Sequence, residues 1–171
     1  MMLIWKIILS SKDDEAVKTC FMFGHSNTPP IHEALIQALE TAYHDHGIRR
    51  FVVGSRGDFD RQRAIPALRY LKEKYDDLEI QRLIAYHPAL GRGEAIDVPD
   101  VFDSTYYPEG MENVPLSYCI RRANERMVTE AELIICYVAH FGNTRSLLEY
   151  AERKKIPCLN LARPAALRMH P

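Results

Sequence analysis

Three short segments of this chain combine glycine with hydroxyl, amide and basic side chains. They are Gly24-His25-Ser26-Asn27-Thr28, Gly54-Ser55-Arg56-Gly57-Asp58 and His140-Phe141-Gly142-Asn143-Thr144-Arg145. Each follows an apolar run of strand length and precedes a stretch with helical spacing. The chemistry open to such segments is anion binding. Glycine lets the backbone approach a ligand closely or take a positive φ. The free N–H groups and positive dipole end of a helix N-terminus favour phosphate. Any βα turn needs residues of this kind, so one segment alone says little. Three at the same edge of one sheet point to a ligand site, with Arg56 and Arg145 as its cations.

Other chemistries find less support. No GxGxxG follows the first apolar run and no GxxxxGK[ST] occurs anywhere, which argues against a nicotinamide dehydrogenase and a Walker ATPase. His44 and His46 are two apart and share no helix face. His25 and His140 fall on candidate loops but are too few for a metal cage, so no metal is expected. Arg121, Arg122, Asn124, Glu125 and Arg126 crowd one helical stretch. Arg121 and Glu125 have the i, i+4 spacing of a surface ion pair, which leaves Arg122 and Asn124 as ligand candidates.

The elements that must position these residues can be read from the spacing. Strand runs are expected at Thr19–Phe23, Phe51–Val53, Leu83–Tyr86, Leu133–Val138 and Pro157–Leu161, with a short one at Val101-Phe102. Ile31, Ala34, Leu35, Ala38, Leu39 and Ala42 mark a first helix, with Thr28 as its N-cap before Pro29 and Pro30, and Gly47 as its stop. Ala64, Ala67, Leu68 and Leu71 mark a second, which Pro66 should kink or delay. Pro115 opens a third with Leu116, Ile120, Ala123 and Met127 inward, and Thr144, Leu147, Leu148 and Ala151 mark a fourth. Alternating β and α elements predict an α/β, three-layer Rossmann-like domain with a mainly parallel sheet of five strands or slightly more, in the order 3-2-1-4-5. Ligands in such sheets sit at the carboxyl ends of the strands beside the switch in direction. The domain is expected over residues 19–161, with an extension or extra strand at 1–18 and a tail at 162–171. The long stretch His87–Val114 reads as a lid or an interface.

Composition fits that picture. The chain has 171 residues, 47% hydrophobic and 26% charged, as one soluble domain would. Its 22 basic and 23 acidic residues leave a net charge of −1, without the basic excess of a sequence-independent nucleic-acid or membrane binder. Fifteen of the cations are Arg, the better bidentate partner for phosphate or carboxylate. Cys20, Cys119, Cys136 and Cys158 match neither a zinc site nor a CxxC pair and read as core thiols of a reducing compartment. Met1–Ser10 is interrupted by Lys6 and is too short to span a bilayer. A cytoplasmic location is the expectation.

Cys20-Phe21-Met22-Phe23-Gly24-His25-Ser26, Gly54–Asp60, and the run from Arg122-Ala123-Asn124-Glu125-Arg126-Met127-Val128 through Gly142-Asn143-Thr144 to Glu149-Tyr150-Ala151 carry a family likeness. The chain resembles the SLOG superfamily, which unites Smf/DprA proteins with LOG-type phosphoribohydrolases, and within it the small stand-alone YpsA-like branch. The resemblance implies a pocket for a nucleotide, a nucleoside or a derivative, often in a homo-oligomer. By position, Gly24, His25 and Ser26 would line the first loop and Gly54, Ser55 and Arg56 the second. Gly142, Asn143 and Thr144 would grip phosphate. The hydrolases of the group carry PGGxGTxxE. Here Asn143 replaces the second glycine, Ser146 stands where the glutamate belongs, and the nearest downstream acid is Glu149.

The combined expectation is a regulatory or sensing site for a nucleotide-derived ligand, with no further cofactor required. The alternative is an N-glycosidic hydrolase of nucleoside monophosphates, for which Glu125 and Glu149 are the candidate acids. A DprA-like module for single-stranded DNA would use Tyr106, Tyr107 and Tyr118 as stacking faces, but the charge balance argues against nucleic acid. A partner-binding module is the remaining class.

Overall fold

The computed structural model describes residues 16–54, 56–90 and 100–163. Strand β1 (Thr19–Gly24) lies at the centre of the sheet, paired in parallel with β2 (Arg50–Val53) on one side and β5 (Leu133–Tyr137) on the other. Beyond β2 lie β3 (Glu79–Leu83) and β4 (Ser104–Tyr106), and beyond β5 lies β6 (Cys158–Asn160), all parallel. The expected order 3-2-1-4-5 is corrected at one edge. The sheet has six strands ordered β4-β3-β2-β1-β5-β6, because Ser104–Tyr106 adds a strand outside β3.

The period of two along β1 builds both cores. Cys20 and Met22 face one side and pack with α1 (His32–Asp45) and α2 (Ile65–Lys74) through Leu35, Leu39, Leu68 and Leu71. Phe21 and Phe23 face the other and pack with α3 (Cys119–Glu130) and α4 (Asn143–Arg153) through Ala123, Met127, Leu147 and Leu148. A strand buried on both faces needs the unbroken apolar run that Leu133–Tyr137 also shows. The three-layer α/β fold follows, with the switch in direction between β1 and β5.

Several local expectations are corrected. The apolar run Leu83–Tyr86 contributes only Leu83 to β3, which is otherwise made from Glu79, Ile80, Gln81 and Arg82. Pairing sets this register: Arg50 lies opposite Glu79 and their side chains meet at 2.9 Å. Val101 is a core residue rather than a strand residue, and β4 starts after Asp103, whose carboxylate accepts the Ile80 N–H at 2.9 Å. Thr28 caps no helix: its hydroxyl donates to His25 O at 2.7 Å, and α1 begins at His32, past both prolines. Gly47, at φ +66, follows the helix as expected.

Pro66 sits in the first turn of α2, and Phe59–Ala64 before it winds as a π-helix that runs directly into α2. A proline with no N–H cannot close the α-helical bond to the preceding turn, which is where wider winding is tolerated. Leu116 and Ile120 do not face inward. Leu116–Tyr118 forms a 3-10 turn, and the buried stripe of α3 is Cys119, Ala123, Met127 and Val128, leaving Leu116 43% and Ile120 39% exposed.

Cys20, Cys119 and Cys136 are buried and Cys158 is half-buried, all as free thiols. Burial raises the thiols of Cys20 and Cys136 and pushes that of Cys158 up to about 12, which suppresses the reactive thiolate. No helix among the described residues is long and apolar enough to cross a membrane. The extension before residue 16 and the tail after Arg163 lie outside the described residues.

Candidate functional site

Because β1 pairs with both β2 and β5, the three glycine segments leave the sheet side by side. Met22 lies opposite Val53, and Gly24 opposite Tyr137. The first and second loops interlock. The Asp58 N–H donates to Ser26 O at 3.1 Å. Gly57 has φ +77, and a Cβ there would lie 3.0 Å from Ser26 Cα, so both conformation and space demand glycine. Gly24 packs as closely against the second segment: a Cβ on it would overlap the ring of fully buried Phe59.

The first and third loops are joined by His25, which is 5% exposed. Its Nε2 accepts the N–H of Ala139 at 2.9 Å and of His140 at 3.3 Å. Accepting at Nε2 places the proton of the neutral ring on Nδ1. Burial holds His25 below its ordinary pKa, and the neighbouring charges of His140 and Arg145 lower it further. Buried Asn160 ties the other end of the same turn: its Oδ1 accepts the Val138 N–H and its Nδ2 donates to Val138 O, both at 3.0 Å. His25 and Asn160 thus fix where α4 begins.

That beginning is open. Gly142 is the N-cap of α4 at φ +140, no side chain caps the helix, and a Cβ on Gly142 would meet nothing within 4 Å. The first-turn N–H groups of Asn143, Thr144 and Arg145 are the anion donors of such a helix. Arg145 bends back with its guanidinium 5.6 Å from the Phe141 ring, and its Nε is buried without a hydrogen-bond partner. Phe141 is 88% exposed.

The second loop holds the group that spacing alone did not single out. Asp60 Oδ2 accepts the Arg56 N–H at 3.0 Å and lies 2.8 Å from where a Gly54 Cβ would stand. Burial pushes its carboxyl up to about 7, against the pull of the Arg56 N–H, Arg61 and Arg56. A carboxyl brought near neutrality at the edge of a loop cluster is a mark of functional sites. The glycine six residues before it was the available signal, because only a residue without a side chain leaves room for that carboxylate. Ser55 lies outside the described residues.

Gly24, His25, Ser26, Gly54, Arg56, Gly142, Asn143, Thr144 and Arg145 are therefore brought to one sheet edge. Other candidates are placed elsewhere. Arg122 and Glu125 line a separate cleft on α3, where Glu125 pairs with Arg121 at 2.9 Å as the i, i+4 spacing predicts. Asn124 is half-buried on the same helix, and Glu149 is exposed in the second turn of α4. The tyrosines form no common stacking face: Tyr106 donates its hydroxyl to Glu130, Tyr107 packs edge-on to His87, and Tyr118 stands exposed on the α3 side. No group of three or more His, Cys, Asp or Glu side chains converges among the described residues. Compared with family models, with curated proteins and with solved structures, the chain finds no match in any of the three.

Proposed function

We propose that the protein binds a nucleotide or nucleotide-derived small molecule at the carboxyl ends of β1, β2 and β5, as a sensing or regulatory site. The observation that carries the reading is Arg145, whose Nε is buried and unpartnered beside an uncapped helix N-terminus. A buried donor left without a partner calls for an explanation, and a phosphate at the start of α4 would satisfy it together with the first-turn N–H groups. Exposed Phe141 offers a stacking face for a base. The SLOG resemblance adds a homo-oligomer to this reading, which light scattering would test.

The test is a thermal-shift panel of nucleoside monophosphates, ADP-ribose and NAD, with free base and ribose 5-phosphate assayed in the same wells. A ligand at a hundred times its Kd stabilises by about 2.7 kcal/mol, a shift of roughly 5–10 °C for a chain of this size. Absence of any shift across the panel would end the reading.

Turnover is the second reading, and one observation favours it. N-glycosidic hydrolysis needs a carboxyl to stabilise the developing oxocarbenium ion or move a proton. Glu125 is engaged by Arg121 and Glu149 is exposed on α4, whereas Asp60 lies at the loops with its carboxyl held at about 7. Release of base that disappears in Asp60→Asn would replace sensing with catalysis.

A further inference from the structure

We propose that the cleft on α3 is a second small-molecule site, separate from the loops, that takes a phosphate monoester carrying a ring. The cleft has a volume of about 600 Å³, and its lining includes Gly110, Tyr118, Arg121, Arg122, Glu125 and Arg126. That volume falls within the range of ligand pockets. No residue of the three glycine loops lines it.

Charge defines the ligand. Three guanidinium groups face one carboxylate in a chain whose net charge is −1. Glu125 neutralises Arg121 at 2.9 Å and stands 4.0 Å from Arg122. The guanidinium of Arg126 has no ion pair among the described residues, and it lies one helical turn from Arg122 on the same face. Like charges at i, i+4 repel, and the one carboxylate of the cleft, shared between Arg121 and Arg122, does not relieve Arg126. A dianionic head does so, and arginine forks match the oxygen geometry of a phosphate.

Shape defines the rest. Gly110 stands at φ +83 against Arg126, and a Cβ there would lie 3.5 Å from Arg126 Nη2. Its backbone brings the preceding segment up to the guanidinium. Tyr118, also in the lining, is 58% exposed, with Val114 and Pro115 lining the same cleft. An aromatic face next to a cationic pair fits a ring bearing a phosphate, with the ring on Tyr118 and the phosphate between Arg122 and Arg126.

The experiment titrates the full-length, isotope-labelled chain with phenyl phosphate and, in a second arm, inorganic phosphate, following backbone amide and arginine Nε–H resonances. Saturable shifts are expected over 110–126, tighter for phenyl phosphate than for phosphate. Arg126→Gln should weaken binding tenfold or more, Arg126→Lys should retain part of it, and Arg145→Ala should leave it unchanged. Arg126 is exposed, so an unaltered melting temperature certifies its variants as folded. Shifts confined to the loops and the start of α4 would overturn the proposal while sparing the loop site. Indifference to Arg126→Gln, or no saturation below roughly 10 mM, would also overturn it. Equal affinity for the two probes would remove Tyr118 and the ring from it.

Discussion

His25 lies face to face with His140, ring centroids 3.7 Å apart and planes within 8°, while its Nε2 takes the N–H of Ala139. One neutral imidazole therefore both supports the second ring and anchors the turn that starts α4. Protonating it would turn the acceptor into a donor facing two backbone N–H groups and add a charge beside His140 and Arg145.

The first prediction concerns that proton. The pKa of His25 is lowered in the folded protein relative to its ordinary 6.5. An unfolded chain then takes up the proton as pH falls through 6.5 and the folded one does not. His25 thus supports folding fully above that pH, and its support is lost as pH falls toward the depressed value. Denaturant titrations from about pH 7.5 to 5 should show wild type losing more stability than His25→Gln, whose amide oxygen keeps the acceptor. The comparison isolates His25 because every other group titrates in both proteins. His25→Ala, which orphans two backbone donors, should cost about 1–3 kcal/mol at neutral pH.

Asp60 behaves with the opposite sign. Its folded carboxyl is raised from 3.8 to about 7, so between those values the folded state holds a proton that the unfolded state has lost. Its contribution falls as pH rises through this window. Asp60→Asn should therefore melt higher than wild type at about pH 8 and lose that advantage near pH 4. If the residue serves the ligand site, the same variant loses binding or turnover as it gains stability, a trade seen where function retains a strained group.

Close packing at the junction of the first two loops yields a third test. A Cβ on Gly24 would stand 2.9 Å from Phe59 Cβ and overlap the ring. Gly24→Ala should destabilise by about 1–3 kcal/mol, the range for overpacking. Pairing it with Phe59→Leu should recover part of the loss, which a double-mutant cycle in urea would read as coupling.

Arg145 separates binding from folding. Its Nε is buried and unpartnered, so Arg145→Met should leave the melting temperature equal or higher. Affinity for a phosphorylated ligand at the loops should fall by about tenfold or more, since hydrogen bonds to charged groups contribute about 1.5–3 kcal/mol. Calorimetry with the nucleotide that gives the largest thermal shift would measure it.

The alternation of strands and helices, the central place of β1 and the gathering of the glycine segments at one edge were legible in the sequence. Each rests on a local pattern: a period of two, a period near 3.6, or a glycine before a helix. Cys20–Gly24 and Leu133–Tyr137 read as buried strands because apolar side chains on both faces leave no other environment for them. What the tertiary structure alone decided are matters of partner and rotation. Glu79 entered a strand through the facing Arg50, against its own propensity. Ile120 turned outward because the stripe through Cys119, Ala123 and Met127 fits the core better. The same rotation turned the i, i+4 pair Arg122 and Arg126 into a cleft away from the loops. Asp60 acquired its shifted carboxyl only when the segment after β2 folded back and buried it against Gly54. Burial and proximity between residues far apart in the chain depend on the packing of whole elements, and no spacing along one segment encodes them.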